Sequence, residues 1–174
     1  MIDIETLGTQ SNSVITEIAA VIFDIETGKT GSSIHLFVDP QSCVDIGLKA
    51  NMDTIMWWME QDDSARKNFA TPDKMRIESA LSRLSAWIKV YCEDEVIPWG
   101  NSARFDLGLL SDAYNAVNRD IPWKFWNERC LRTLVSFKPS VKDFTSFTGT
   151  RHNAIDDCKH QIKYCVETYK SLNT

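Results

Sequence analysis

Two acidic side chains near the N-terminus have the spacing of a metal site. Asp3 and Glu5 lie two residues apart in a segment where apolar and acidic residues alternate. Side chains two apart on a β-strand point to the same face, so both carboxylates would lie on one side of the sheet. Paired buried carboxylates are costly unless a cation neutralises them, and carboxylate oxygens suit Mg²⁺ or Mn²⁺. The pair predicts either a divalent metal site or an ordinary surface strand with alternating acids.

The same four letters, Asp-Ile-Glu-Thr, occur again at residues 24–27. This second copy runs directly into Gly28 and Gly31, which favour a turn. We therefore expect residues 24–27 to form the exposed end of a hairpin and to take no part in the site.

Two later motifs add residues of the same chemical type. One follows a short apolar strand, and the other precedes an amphipathic helix near the C-terminus. They read Asn101-x-x-x-Phe105-Asp106 and His152-x-Ala154-x-x-Asp157.

Together with Asp3-Ile4-Glu5-Thr6, these ordered motifs resemble those of the DEDD superfamily, the DnaQ-like 3′-to-5′ exonucleases of the ribonuclease H-like fold, in the subgroup with histidine in the third motif. The likeness is greatest to phage exodeoxyribonuclease A and to prophage or bacterial ribonuclease T-like proteins, and it extends over essentially the whole chain. At Cys130 that branch commonly has Asp. The further stretches that carry the likeness are Thr54–Gln61, Ala65–Asn68 and Lys124–Arg129.

The resemblance implies hydrolysis of the terminal 3′ phosphodiester with two Mg²⁺ ions, for which Mn²⁺ can substitute. Asp3 would bridge both cations, Glu5 and Asp157 would complete one metal site, and Asp106 would help to hold the other. Two cations about 4 Å apart activate the attacking water and stabilise the leaving 3′ oxygen. His152 would take the proton of that water, a role that suits an imidazole with an unperturbed pKa of about 6.5.

Asp156 and Asp157 compete for the metal-ligand role. On a continuous helix Asp156 lies four residues after His152 and nearly on its face, whereas Asp157 is rotated away. Both acids lie off the apolar stripe of the helix, so periodicity does not decide between them. The family pattern, in which the ligand is the fifth residue after the histidine, selects Asp157.

Substrate contacts are predicted from side chains beside the motifs. Residues 129–174 carry 8 basic and 4 acidic side chains, whereas residues 1–128 carry 11 basic and 20 acidic ones. The basic part can face a polyanion, although ordinary surface composition gives the same count. The predicted contacts are Thr6, Asn101, Ser102 and Arg104, with Arg129, Arg132 and Arg151 for phosphate.

The tryptophans could either pack in the core or stack on a base. Trp57 and Trp58 are adjacent on a predicted helix, so at least one of them can face a cleft. We expect Trp57, Trp99 and Trp126 in the core and retain Trp58 as a stacking candidate. His35 and His160 are expected to be structural.

The elements that must position these residues follow from periodicity. Strand patterns come first, then helical patterns interleaved with a short strand, which predicts an α/β domain with a mixed central sheet of about five strands flanked by helices. We expect one exonuclease domain over residues 1–174. The predicted strands are 1–6, 14–24, 33–39 and 96–99, and the predicted helices carry Met52–Met59, Ile77–Tyr91 after a Thr71-Pro72 start, Phe105–Val117 and Ile155–Tyr169.

Composition limits the class of protein. A chain of 174 residues with 43% hydrophobic and 25% charged residues has the balance of one globular domain. Its formal charge of −5 argues against attraction of nucleic acid to the whole surface, so a polyanion would need a basic patch or bound cations. The sequence has no apolar run of the roughly 20 residues that span a bilayer, no signal-peptide pattern, and five cysteines without a C-x-x-C pair. We expect a cytoplasmic protein with no membrane partner; relatives include dimers, which makes a homodimer plausible.

The leading interpretation is a metal-dependent 3′-to-5′ exonuclease that acts on single-stranded 3′ ends, with DNA favoured over RNA, and releases nucleoside 5′-monophosphates. An exoribonuclease of the ribonuclease T or oligoribonuclease type is the close alternative, since one catalytic centre serves both polymers. A non-catalytic nucleic-acid-binding scaffold is disfavoured, because a scaffold has no need for all five site residues.

Overall fold

A five-stranded mixed sheet of order β3-β2-β1-β4-β5 forms the centre of the protein. The computed structural model describes residues 1–92 and 95–173, so positions 93, 94 and 174 of the predicted domain lie outside the described residues. β1, β2 and β3 form an antiparallel meander, and β4 and β5 are added parallel to β1. The α/β fold class predicted from the sequence is confirmed. The strands are β1 Ile2–Thr6, β2 Ile15–Phe23, β3 Thr30–Phe37, β4 Trp99–Gly100 and β5 Arg129–Cys130.

Helices cover both faces of this sheet. One apolar core joins the sheet to α4 and α5, and a second joins it to α6 and α8. No helix in the described part of the chain has the length and apolar content that a bilayer crossing requires. The helices are α1 Pro40–Asp45, α2 Met52–Met59, α3 Asp63–Arg66, α4 Ile77–Tyr91, α5 Gly108–Ala116, α6 Leu131–Ser136, α7 Ser140–Phe144 and α8 Ala154–Leu172, with 3₁₀ turns at Lys67–Ala70 and Phe125–Asn127 and a π-helical turn at Ala103–Leu107.

The alternation of β1 separates apolar from acidic side chains. Ile2 and Ile4 enter the core on the α4 and α5 side of the sheet. Asp3 and Glu5 therefore project toward the α8 side, where Asp3 receives a hydrogen bond from Gln161. The first step of the sequence argument, two carboxylates on one face, is confirmed.

Two predicted boundaries are wrong. The strand predicted at residues 96–99 is confined to Trp99–Gly100, since Pro98 has no N–H for a ladder and Ile97 is exposed. The helix predicted to begin at Thr71-Pro72 begins at Ile77. Hydrogen bonds of Met75 with Phe37 and Asp39 hold Met75 extended beside the end of β3, and the helix can begin only after it.

Two tryptophans predicted in the core lie at the surface. Trp57 is 41% and Trp126 is 59% exposed, whereas Trp99 is partly buried against Phe23. α2 buries only one narrow side, on which Trp58 is the buried residue. Trp126 lies in a short 3₁₀ turn whose buried residue is Asn127, and Phe125 beside it is exposed as well.

Trp58 connects α2 to the strand that carries the first motif. Its side chain is 4% exposed, and its indole Nε1 donates a hydrogen bond of 2.8 Å to the carbonyl oxygen of Thr6. Little of the ring is exposed, although it lines a cavity beside Thr6, and a contact between Trp58 and substrate stays a prediction.

We expect Trp58→Phe to lower the free energy of unfolding by about 1–2 kcal/mol, because the Thr6 carbonyl loses its buried donor. Urea unfolding followed by circular dichroism measures the change. Trp126→Phe is the control, since its exposed ring should change stability by less than about 0.5 kcal/mol. Equal stability of the two variants would contradict a structural role for the indole hydrogen bond.

Candidate active site

All five residues predicted to be catalytic line one cleft of about 850 Å³. The cleft lies where the parallel strands β1, β4 and β5 end, so residues on and after these strands meet there. Four predicted substrate contacts lie in the same cleft, namely Asn101, Ser102, Arg104 and Arg132. The five catalytic candidates in it are Asp3, Glu5, Asp106, His152 and Asp157.

The other predicted contacts lie outside this cleft. Thr6 borders an adjoining cavity of about 600 Å³, and its hydroxyl donates to the carbonyl of Gly8. Arg151 lines a groove that shares His152 with the cleft. Arg129 lies at the beginning of β5, where its guanidinium donates to the carbonyls of Trp126 and Glu128. These backbone carbonyls therefore engage the Arg129 guanidinium outside the cleft that holds the catalytic candidates.

Asp3 and Glu5 are held in a crowded acidic environment. Asp3 is 8% exposed, and its Oδ1 accepts a hydrogen bond of 2.6 Å from Gln161 Nε2. Burial first, and then the charges of Asp106 and Glu5, raise the pKa of Asp3 well above its usual value. Burial and then Asp157 raise the pKa of Glu5 in the same way. Both acids thus favour protonation when no cation is present.

Asp106 is presented by the π-helical turn that precedes α5. Its side chain is almost fully buried, and Oδ2 accepts a hydrogen bond of 3.0 Å from the Ser102 N–H. Burial raises its pKa to about 6. Gly100 allows this approach, because a Cβ there would lie 3.0 Å from Asp106 Cβ and Oδ2. Such π turns are frequent at functional sites.

His152 and Asp157 flank the beginning of α8. Asn153 caps the helix, and the backbone N–H of Asp157 donates to the Asn153 carbonyl. His152 has a left-handed backbone with φ of +59°. One ligand atom each of Glu5, His152 and Asp157 lies within 4.8 Å of the others, a spacing that can hold a metal ion. Burial raises the pKa of Asp157 to about 6, and burial followed by the charge of Arg151 lowers the pKa of His152.

Asp156, in the same segment, has a structural role that differs from the position of Asp157 in the cleft. Its Oδ2 accepts from the Thr150 N–H at 3.0 Å, and its Oδ1 pairs with Lys159 at 3.3 Å. These bonds hold the loop before His152 against α8. Asp156 is therefore engaged with the loop, while Asp157 lies beside Glu5 and His152.

Aromatic rings surround the imidazole of His152. The ring centroid of Trp57 lies 5.0 Å and that of Trp58 lies 5.9 Å from the imidazole, both edge-on. Trp57 is the exposed member of the pair and lines the cavity beside Glu5 and Phe105. Both tryptophans line this cavity, and Trp57 has the larger exposed surface.

Glu17 is a buried acid that the sequence analysis did not identify. It lies directly opposite Glu5 in the β1–β2 register, and its Oε2 binds His35 Nε2 at 2.8 Å. The Ala154 N–H, at the first position of α8, donates to the same oxygen at 3.4 Å. Glu17 thus connects the central sheet to the helix that carries Asp157, and His35 has the structural role predicted for it.

Of the two supporting residues Gln161 and Glu17, only the first could have been predicted from the sequence. Gln161 lies four residues after Asp157 on α8, so its place on the same helix face could have been found from spacing. Glu17 could not, because its role depends on strand register and on contact with Ala154, which lies 137 residues away along the chain.

The residue set fits divalent cations. Among the described residues, no lysine or arginine forms an ion pair with any of the four cleft acids; the ion pairs lie elsewhere. The donors that reach Asp3 and Asp106 are a neutral amide and a backbone N–H. Carboxylates that share a cleft without forming ion pairs make a hard oxygen-rich site that Mg²⁺ or Mn²⁺ can neutralise.

Comparison with known proteins identifies the relatives of the chain. The family model of the Rv2179c-like 3′-5′ exoribonuclease domain matches residues 1–169. An exodeoxyribonuclease of Enterobacteria phage T4 is 27% identical, over 93% of this chain and 85% of the phage protein. The crystal structure of cell-death related nuclease 4 superposes with a TM-score of 0.54 at 10% identity, over 98% of this chain but only 63% of that longer nuclease. This structural likeness supports the ribonuclease H-like fold.

We expect the metal-free protein to be more stable near pH 5 than near pH 7.5. The folded-state pKa of Asp106, about 6, is raised above the roughly 3.9 of an unfolded chain. The stabilisation from its protonation is therefore complete below about pH 4 and is lost as the pH rises through about 6. Urea unfolding in EDTA at the two pH values measures this difference.

Asp106→Asn should then raise the free energy of unfolding in EDTA at pH 7.5 by on the order of 2 kcal/mol, because a buried charge is removed. Asp112→Asn, in the half-exposed rim of the same cleft, should change it little. A metal-free Asp106→Asn protein less stable than the wild type would contradict the argument that burial of this charge destabilises the fold.

Proposed function

Since the chain belongs to the Rv2179c-like 3′-5′ exoribonuclease domain family, it is a 3′-5′ exonuclease, and we propose that it removes nucleoside 5′-monophosphates from single-stranded 3′ ends, DNA in preference to RNA. The membership confirms the DnaQ-like superfamily predicted from the three motifs. The observation that carries the proposal is the convergence of four acids and His152 in one cleft.

Two metal ions are proposed to occupy this cleft. The charges of Asp106, Glu5 and Asp157 all act on Asp3, which would contact both ions. Glu5 and Asp157 would hold one ion, and Asp106 would help to hold the other. When bound, such ions activate the attacking water and stabilise the charge on the leaving 3′ oxygen. The raised pKa values of these acids support this assignment, because within the described part of the chain none of the four forms an ion pair with a lysine or arginine.

His152 is proposed as the general base. Its imidazole lies in the cleft beside Glu5 and Asp157. Burial and Arg151 lower its pKa, so the neutral form that can accept a proton predominates at neutral pH. Trp57 and Trp58 pack against the ring edge-on and limit the orientations that it can adopt.

DNA and RNA are both candidate substrates, and the description of a relative or of the family supports each. The phage T4 relative is described as an exodeoxyribonuclease, and it aligns over most of both chains. The family description names an exoribonuclease, which favours RNA as the second candidate. DNA is the first choice because the phage likeness includes the α2 and Lys124–Arg129 stretches as well as the motifs.

The test uses single-stranded DNA and RNA of one sequence, labelled at either the 5′ or the 3′ end, with Mg²⁺, Mn²⁺ or EDTA. We expect mononucleotide release from the 3′ end, loss of activity in EDTA, and a DNA rate at least tenfold above the RNA rate. A faster RNA rate would select the exoribonuclease candidate. Internal cleavage, or hydrolysis that persists in EDTA, would overturn the proposed mechanism.

Asp157→Asn should reduce the rate at least 10³-fold, because a ligand carboxylate is lost, whereas Asp156→Asn should keep most of the activity. The two variants carry the same chemical change at adjacent positions and form a matched pair. Initial rates on the preferred polymer measure the effect, with isothermal titration of Mn²⁺ as a second readout. The opposite ranking would refute the assignment of Asp157.

A further inference from the structure

Basic side chains gather on the face formed by α7, the loop before His152, and α8. The Arg151 guanidinium lies 5.1 Å from the ring centroid of Phe147. The Lys142 ammonium lies 5.7 Å from the ring centroid of Tyr164. With Lys163, which is also exposed, these residues form a group that we call the basic patch: Lys142, Arg151 and Lys163.

The imidazole of His160 lies at the centre of the basic patch. It packs against Phe147 at 4.8 Å and Tyr164 at 5.2 Å between ring centroids. Its pKa is lowered first by burial and then by the charges of Lys163, Arg151 and Lys142. Arg151 lies over Phe147 and Lys142 over Tyr164, so the two rings that pack against His160 each carry a cation. The structural role predicted for His160 is the support of this cationic surface.

Carboxylates do not neutralise the basic patch. In the described ranges 1–92 and 95–173, none of its three members forms an ion pair with an acid. Lys163 Nζ donates to the Thr148 hydroxyl at 2.5 Å instead. The neighbouring Asp156 is occupied by Lys159 and by the Thr150 N–H. The patch thus keeps its positive charge for an anion from outside the chain.

The basic patch is continuous with the catalytic cleft. A groove of about 460 Å³ is lined by His152 of the cleft and by Arg151 and Phe147 of the patch region. On the other side, the Tyr164 hydroxyl lies 3.3 Å from Asn101 Oδ1 in the cleft wall. His160 and Tyr164 follow Asp157 by three and seven residues on α8, about 4.5 and 10 Å along its axis.

These two distances correspond to about one and three nucleotides at 3.4 Å per nucleotide, the advance of one strand in a duplex. Exposed cations beside aromatic rings suit a phosphate backbone and do not read base identity. We propose that the basic patch binds the phosphodiester backbone of the nucleotides that precede the scissile one. This inference rests on the proposed function and extends it from the 3′-terminal linkage to the upstream strand.

The test compares the double variant Lys142→Gln/Lys163→Gln with Lys29→Gln/Lys89→Gln. Both carry the same change in net charge, but Lys29 lies at the β2–β3 turn and Lys89 on α4, away from the patch. Binding of a fluorescent 20-nucleotide single strand is measured by anisotropy in EDTA, and hydrolysis of this strand and of a dinucleotide is measured with Mg²⁺.

We expect the patch variant to raise Kd and KM for the 20-nucleotide strand about tenfold, with kcat and dinucleotide hydrolysis unchanged. The slope of log Kd against log salt should fall by about 1.4, since each phosphate contact contributes roughly 0.7 for a single strand. The control variant should match the wild type. Lys142→Arg/Lys163→Arg should restore wild-type Kd, because it restores the charge.

Unchanged Kd and salt slope in the patch variant would overturn the inference. A parallel loss on the dinucleotide, without rescue by arginine, would also overturn it, because it would mean that the substitutions disturb the fold of α8. A wild-type protein that binds the strand but hydrolyses no polymer would refute the proposed function instead. The anisotropy result would still decide the role of the patch in that case.

Discussion

The burial of clustered carboxylates is the constraint on which the site depends. Asp3 and Asp106 are 8% and 3% exposed, and Glu5 and Asp157 share the same cleft. Burial is the largest cause of the raised pKa of each of the four acids. A fold that gathers such groups without cationic partners loses stability unless protons or metal ions are bound. The arrangement therefore favours divalent cations at neutral pH.

The surrounding residues fix the acids without neutralising them. Gln161 and the Ser102 N–H donate to Asp3 and Asp106, respectively. The Glu17 carboxylate binds His35 on one side and the first N–H of α8 on the other. An anion at a helix N-terminus is favourable because the N–H groups there lack intrahelical partners. The position of α8 relative to β1 thus follows from hydrogen bonds that leave the cleft negative.

Local periodicity explains which parts of this arrangement could be predicted. Alternation in β1 placed Asp3 and Glu5 on one face, and the apolar stripe of α8 located the third motif. The two-residue strand β5 and the exposure of Trp57 depend on contacts between distant segments, and no local pattern marks them. The apolar periodicity of α8 did not decide between Asp156 and Asp157, and the family pattern selected Asp157. In the folded chain the two differ because Asp156 accepts a hydrogen bond from the Thr150 N–H.

Acidic and basic side chains lie in different parts of the fold, so the net charge of −5 does not describe the surface that a substrate meets. Charges on a protein surface are screened beyond about 8 Å at physiological ionic strength, so an incoming strand responds to its immediate surroundings. Most of the acids lie in residues 1–128, whereas Arg151 lines the groove that leads from His152, and Lys142 and Lys163 belong to the same basic patch. A chain with an excess of acids can therefore attract a polyanion, provided that its cations border the cleft and its cleft acids bind metal ions. Local placement of charge, rather than its sum, determines what this surface can bind.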